Sequence, residues 1–170
     1  IRTRFVAEYR KFLPRGAKNR HFWYPCQSYP HFLTNKGLLP MGMEKTLIIL
    51  KPDAVQRGIM GKIISRFEDK GLKVVGAKFM QISQELAATH YADHKERPFY
   101  AGLVSFMTRS PVLVLALEGV GAIAICRLMM GATFGSQAAA GTIRGDFGVS
   151  NSYNLIHGSD SQEAAAKELG

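Results

Sequence analysis

Thr46-Leu-Ile-Ile-Leu50 is uncharged, rich in apolar and β-branched residues, and runs straight into Lys51-Pro52-Asp53. A short apolar run that stops at a proline reads as a buried strand. The reading extends outward from it. Ile59, Ile63, Ile64 and Phe67 recur at helical spacing, which predicts a helix over residues 59–70 closed by Gly71. Residues 72–82 read as a second strand, and residues 83–90 as a short helix with Ser83 as its N-cap and Leu86 turned inward. A further helix is expected over 99–108, a third strand over 112–117, and an apolar helix over 120–130. A Gly-rich loop over 131–152, a short fourth strand over 153–156 and a last helix over 162–169 complete the order. This succession is α+β, the βαββαβ of a ferredoxin-like fold, with a four-stranded antiparallel sheet covered on one face by helices. A loop of about 20 residues inside a compact domain is usually functional, so the one before the last strand is a candidate binding site.

Upstream of Met43 the character changes. Of 170 residues carrying a formal charge of +9, the first 42 hold eight Lys or Arg against the single acid Glu8, whereas residues 43–170 hold fourteen against twelve. The basic excess therefore belongs to a leading segment with four prolines and no sustained period, read as a disordered or non-native extension. A chain opening on Ile1 is expected to be incomplete or processed, and Met41 or Met43 would be a natural start, making upstream sequence or an Arg-rich transit peptide the alternatives. Arg10, Lys11, Arg15 and Arg20, interleaved with Phe22-Trp23-Tyr24, support a rival reading in which this segment contacts nucleic acid or an anionic surface and the remainder is a scaffold. Cys26 and Cys126 are too few for a disulfide framework, which favours a reducing, cytoplasmic setting. No apolar run approaches the ~18 residues that cross a bilayer, so no membrane association is expected.

Neither G-x-x-x-x-G-K-[ST] nor G-x-G-x-x-G occurs, so a bound nucleotide must be held by groups from separate elements. Lys51 at a strand end, Arg127 on a helix, and Thr133 and Arg144 in or beside the long loop are the candidates, although singly each reads as a solvated surface group. His157 follows an apolar strand and precedes Gly158-Ser159-Asp160-Ser161, where the chain turns. On that fact alone a hydrogen-bonded strand-end histidine is the more ordinary reading. An imidazole of ordinary pKa, about 6.5, nevertheless has a free lone pair near neutrality and can attack phosphorus without an activating base. The segment is not the G-x-S-x-G of a serine hydrolase. His90 and His94 have the spacing of a zinc pair on a helix, but Tyr91 stands where H-E-x-x-H has its glutamate.

From Met43 to Gly170 the chain resembles the nucleoside diphosphate kinases. The resemblance is carried by Thr46-Leu-Ile-Ile-Leu-Lys51-Pro52-Asp53, Arg57-Gly58, His90-Tyr91, Arg97-Pro98-Phe99, Arg127, Gly131-Ala-Thr133, Gly141-Thr-Ile-Arg144-Gly145-Asp146 and Asn154-Leu-Ile-His157-Gly-Ser-Asp160-Ser161. It implies transfer of the γ-phosphoryl group of a nucleoside triphosphate such as ATP or GTP to His157, and then to a different nucleoside diphosphate, in a Mg2+-dependent ping-pong cycle. The metal would be held mainly by the nucleotide's phosphates. By the same resemblance Lys51, Tyr91 and Asn154 place the phosphate and sugar, and His94, Arg127, Thr133 and Arg144 hold the phosphates. Phe99 stacks on the base and Glu168 orients His157. A homo-oligomer, tetramer or hexamer, is implied as well. The sequence departs from the family at Phe134-Gly135, where Asn-Pro is common, and at Ala139-Ala140, where a proline is frequent. Its end at Gly170 implies a C-terminal truncation, and its basic extension has no counterpart in the family's core.

Overall fold

The computed structural model describes residues 42–170, and the basic extension, with its nucleic-acid and transit-peptide readings, lies outside the described residues. Four strands, β1 (Met43–Leu50), β2 (Lys73–Met80), β3 (Val112–Val120) and β4 (Ile156–Gly158), form one sheet in the order β2-β3-β1-β4. Every pairing is antiparallel; Leu50 lies opposite Leu113 on one side and Ile156 on the other. The helices are α1 (Pro52–Gln56), α2 (Met60–Asp69), α3 (Gln84–His90), α4 (Tyr100–Thr108), α5 (Ala122–Met130), α6 (Ile143–Phe147) and α7 (Gln162–Leu169). This is the ferredoxin-like α+β fold expected from the sequence. None of the described helices is long and apolar enough to cross a membrane.

β1 explains why the sheet is covered on both faces and not on one. Successive side chains of a strand point to opposite faces, and here both sets are buried. Ile48 and Leu50 join Ile63, Phe67, Leu115, Leu117, Met130 and Ile156 in one cluster. Leu47 and Ile49 join Ala87, Tyr91, Phe106, Met107 and Val112 in the other. An unbroken apolar run, without polar alternation, is what a strand buried on two sides requires.

Helix α2 buries Ile63 and Phe67 completely, each worth about 1.5–3 kcal/mol relative to exposure. It ends as the sequence indicates. Gly71 adopts φ +89°, and the Leu72 amide donates to the Phe67 carbonyl at 2.9 Å, which closes the last turn. Ser83 caps α3 by accepting from the Leu86 amide at 3.2 Å. Leu86 itself points outward, 39 % exposed, contrary to expectation; Ala87 and, four residues on, Tyr91 are the inward-facing positions.

Three further expectations shift. Residues 52–56 form a helix with Pro52 in its first turn, a position that suits proline and was legible in the sequence. β3 runs on to Val120, so α5 starts at Ala122, where the side chain of Glu44 accepts from the Ile123 amide at 3.1 Å. The long loop is not structureless, since it contains a single turn at Gly135–Gln137 and α6. Asp146 pins it, accepting from Arg66 at 2.5 Å and from the Gly141 amide at 2.7 Å.

Candidate active site

The start of β4 is set by Asp53 and Lys51, at the other end of the chain. Leu155 has φ +69°, the one non-glycine residue in that region among the described residues, so extended pairing cannot begin before Ile156. Its amide donates to Asp53 Oδ2 at 3.0 Å, and its carbonyl accepts from the Lys51 amide at 2.8 Å. The fourth strand is therefore 156–158 and not 153–156, and His157 sits inside it, opposite Ile49, instead of after it. Gly158 permits this placement, because a Cβ there would lie 2.7 Å from Met130 Sδ and 2.9 Å from Ile48 Cδ1.

The His157 side chain, 24 % exposed, meets α7. Its Nε2 lies 3.0 Å from Glu168 Oε1. The other carboxylate oxygen of Glu168 accepts from Ser159 Oγ at 2.6 Å, and that hydroxyl accepts from the Leu47 amide at 3.1 Å. A relay thus runs from the backbone of β1 through Ser159 and Glu168 to the imidazole. Burial pushes the Glu168 carboxyl upward, but hydrogen bonds from His157 and Ser159 outweigh it and leave the group below its usual range. With Nε2 occupied by the carboxylate, Nδ1 is the ring nitrogen whose lone pair is available.

Three cations bond to the segment 154–158 that carries His157. Lys51 is buried and donates from Nζ to Asn154 Oδ1 at 2.6 Å, while Asn154 Nδ2 donates to the Thr133 carbonyl at 2.9 Å. Burial first, and the Arg144 charge second, bring the Lys51 ammonium down to about 8. Arg144 is buried as well, and its guanidinium donates to the carbonyls of Asn154 at 3.2 Å, Gly131 at 2.9 Å and Ile156 at 2.7 Å. It braces the loop against β4 and retains an unspent Nη2 hydrogen. Its pKa is lowered to about 10 by burial and by Arg127. Arg127, exposed on α5, reaches the Gly158 carbonyl at 3.5 Å.

A row of rings leads away from His157. Tyr91 lies 6.4 Å from it between centroids, His94 lies 6.4 Å from Tyr91, and Phe99 lies 5.6 Å from His94. Phe99 is 56 % exposed, which removes the core-aromatic reading and suits a stacking surface. The Tyr91 hydroxyl is buried and has no hydrogen-bond partner among the described residues. An orphaned donor of that kind costs about 1–3 kcal/mol unless a ligand satisfies it.

Lys51, Asn154 and Arg144 thus share one bonded network with the Thr133 carbonyl. His157, Glu168, Tyr91, His94 and Phe99 form a second group, Arg127 reaches the Gly158 carbonyl, and Ser159 and His90 join the second group. Ser159 has no role assigned from the sequence; its signal there is its place two residues after His157, in the turn and in the motif that carries the resemblance. His90, for its part, does not share a helical face with His94. Helix α3 ends at His90, so His94 leaves the helical path and stacks beside Tyr91, while the His90 ring turns to His157, 4.9 Å away between centroids. Burial, followed by the His157 charge, lowers the His90 pKa to about 4.

A carboxylate-held histidine, a buried lysine and converging arginines on a ferredoxin-like sheet define a phosphotransferase. The model of the nucleoside diphosphate kinase family matches residues 44–170. Over 127 residues, 75 % of this chain and 85 % of the relative, the sequence is 55 % identical to the nucleoside diphosphate kinase of Gloeobacter violaceus. It is 56 % identical to that of Carboxydothermus hydrogenoformans over the same shares. Among solved structures, a nucleoside diphosphate kinase of Halobacterium salinarum in complex with CDP is similar at a TM-score of 0.73 and 51 % identity, covering 75 % of this chain and 86 % of that one. The Aquifex aeolicus nucleoside diphosphate kinase gives a TM-score of 0.74 at 41 % identity, covering 75 % of this chain and 93 % of that one. The chain belongs to the nucleoside diphosphate kinase family.

Proposed function

We propose that His157 Nδ1 is the nucleophile that carries the phosphoryl group between nucleotides. In the first half-reaction Nδ1 bonds to the γ-phosphorus as the bond from that phosphorus to the bridging β–γ oxygen breaks, and the diphosphate leaves with the bridging oxygen. In the second, a terminal oxygen of another nucleoside diphosphate attacks the same phosphorus and the N–P bond breaks. The observation that carries this reading is the 3.0 Å contact of His157 Nε2 with Glu168, which fixes the tautomer and directs the free lone pair to Nδ1. Glu168 thereby stabilises the positive ring that forms on attack.

Charge spreads over the equatorial oxygens in a loose transition state, so positioned cations supply most of the catalysis. Lys51 and Arg127 meet that charge, with Arg144 adding its unspent donor and bracing the loop. Asn154 holds Lys51 and, with the Tyr91 hydroxyl, addresses the phosphate and sugar. His94 and Thr133 complete the phosphate contacts, and Phe99 carries the base. Mg2+ needs an oxygen-rich octahedral shell. The titratable cluster at His157 offers two imidazoles and a carboxylate already bonded twice, so Mg2+ belongs with the nucleotide phosphates. A homo-oligomer, tetramer or hexamer, is supported by the edge position of β2 and by exposed Phe79 on it. The cytoplasm, which suits a buried free thiol at Cys126, is the proposed location, and residues 43–170 are proposed as the catalytic domain.

Initial rates at varied ATP and dTDP test the scheme. Parallel double-reciprocal lines are expected, and an intersecting pattern would refute a covalent intermediate.

A further inference from the structure

Three metal-ligating side chains converge where the proposed chemistry uses two. His90 Nε2 lies 3.9 Å from the same Glu168 Oε1 that His157 Nε2 approaches at 3.0 Å. One donor atom from each of His90, His157 and Glu168 lies within 4.8 Å of the others. A tetrahedral Zn2+ with bonds of about 2.0–2.2 Å places its donors roughly 3.3–3.6 Å apart. The two separations to Glu168 bracket that value, so small rotations would close the site.

The surroundings favour an ion. Ser159 occupies Glu168 Oε2 and leaves Oε1, the shared oxygen, to face both rings, as an outer-shell partner of a ligating carboxylate does. All three side chains are accessible, 18 % for His90, 24 % for His157 and 15 % for Glu168. His90 has no part in the phosphoryl transfer described above. Two imidazole nitrogens and one carboxylate oxygen suit late first-row divalent ions and not Mg2+ or Ca2+.

We propose that His90, His157 and Glu168 form a binding site for a late first-row divalent ion, Zn2+ foremost, that silences phosphoryl transfer by capturing the nucleophile. Coordination at His157 Nε2 displaces the proton held there. In the neutral ring that proton moves through solvent to Nδ1, whose lone pair is then lost to phosphorus. Besides coordination, the only bonds that change are the N–H bond broken at Nε2 and the N–H bond formed at Nδ1, and a fourth position on the ion is left for water. The binding claim stands on the three side chains alone; the silencing claim rests on His157 being the nucleophile.

Co2+ added to the nucleotide-free full chain is the direct probe. One equivalent should give the visible bands of a four-coordinate ion, and Zn2+ should abolish them. Replacing one of three ligands should cost more than the roughly 100-fold that an outer-shell change can cost, so His90→Ala should weaken Zn2+ by at least that factor. Should His90→Ala misfold, Zn2+ titrated into the unsubstituted chain should still shift the imidazole NMR signals of both His90 and His157. Affinity unchanged by His90→Ala, or shifts confined to other histidines, overturns the site. Zn2+ should also reduce turnover of the unsubstituted enzyme far more than that of His90→Ala. Tight Zn2+ binding through all three residues with turnover untouched overturns the silencing claim. If His157→Ala abolishes Co2+ binding yet still accepts phosphate from ATP, the site stands and the nucleophile assignment fails.

Discussion

Replacing Ser159 with alanine removes one hydroxyl and interrupts the relay at its centre. Ser159 is 1 % exposed, accepts from the Leu47 amide at 3.1 Å and donates to Glu168 at 2.6 Å. Leaving the Leu47 amide without that acceptor costs about 1–3 kcal/mol, and the lost bond to a carboxylate is worth about 1.5–3 kcal/mol. Allowing for relaxation and water entry, Ser159→Ala should destabilise the fold by roughly 3 kcal/mol and lower Tm by about 10 °C. The kinetic effect is separate. Glu168 keeps its bond to His157 but loses the group that orients it, so kcat should fall about tenfold, equivalent to about 1.4 kcal/mol, with KM little changed. Guanidinium unfolding by circular dichroism and coupled steady-state kinetics read the two quantities independently. Stability within about 0.5 kcal/mol of the parent, the range of a neutral surface change, would refute the relay. So would a rise in KM at constant kcat.

Other consequences follow from the same geometry. Lys51, brought down to about 8, holds its charge below that pH and loses it above, so kcat/KM should show an alkaline limb centred near pH 8; a flat profile to pH 9.5 would count against it. The same shift implies that the unfolded chain binds the extra proton above pH 8. The fold should therefore gain up to about 3 kcal/mol as pH rises from about 8 towards the ordinary lysine value. His90 works at the acid end: with its folded pKa lowered to about 4, its contribution is complete above about 6.5 and is lost as pH falls towards 4. Urea titrations between pH 7 and 4 should show a smaller acid loss in His90→Asn. Phe99→Ala should raise nucleotide KM about tenfold, since a base–aromatic stack is worth about 1–3 kcal/mol, and leave Tm nearly unchanged because the ring is exposed.

How much of this was legible depends on whether the cause was local. The apolar run ending at Lys51-Pro52 carried β1, and the Ile59/Ile63/Phe67 stripe with Gly71 carried α2, because period and cap are written in consecutive residues. The start of β4 was not, since Leu155 is held in its positive-φ conformation by Asp53 and the Lys51 backbone about a hundred positions away. Helical cover on the second face was missed for a related reason: a buried apolar run does not reveal how many layers cover it. The candidate site is legible as a set only through family resemblance; in the structure His157 is bonded to Glu168, Lys51 to Asn154, and Tyr91, His94 and Phe99 follow one another as neighbouring rings. Its links were invisible. Ser159 acts on Leu47, 112 positions away, and His90 turns to His157 only because α3 stops where it does.

Mapping the label transferred from γ-labelled ATP decides whether His157 carries the phosphoryl group. An acid-labile, alkali-stable label is expected on the peptide containing His157, discharged by added nucleoside diphosphate and absent from His157→Ala. An acid-stable label, or one that survives His157→Ala, would contradict it.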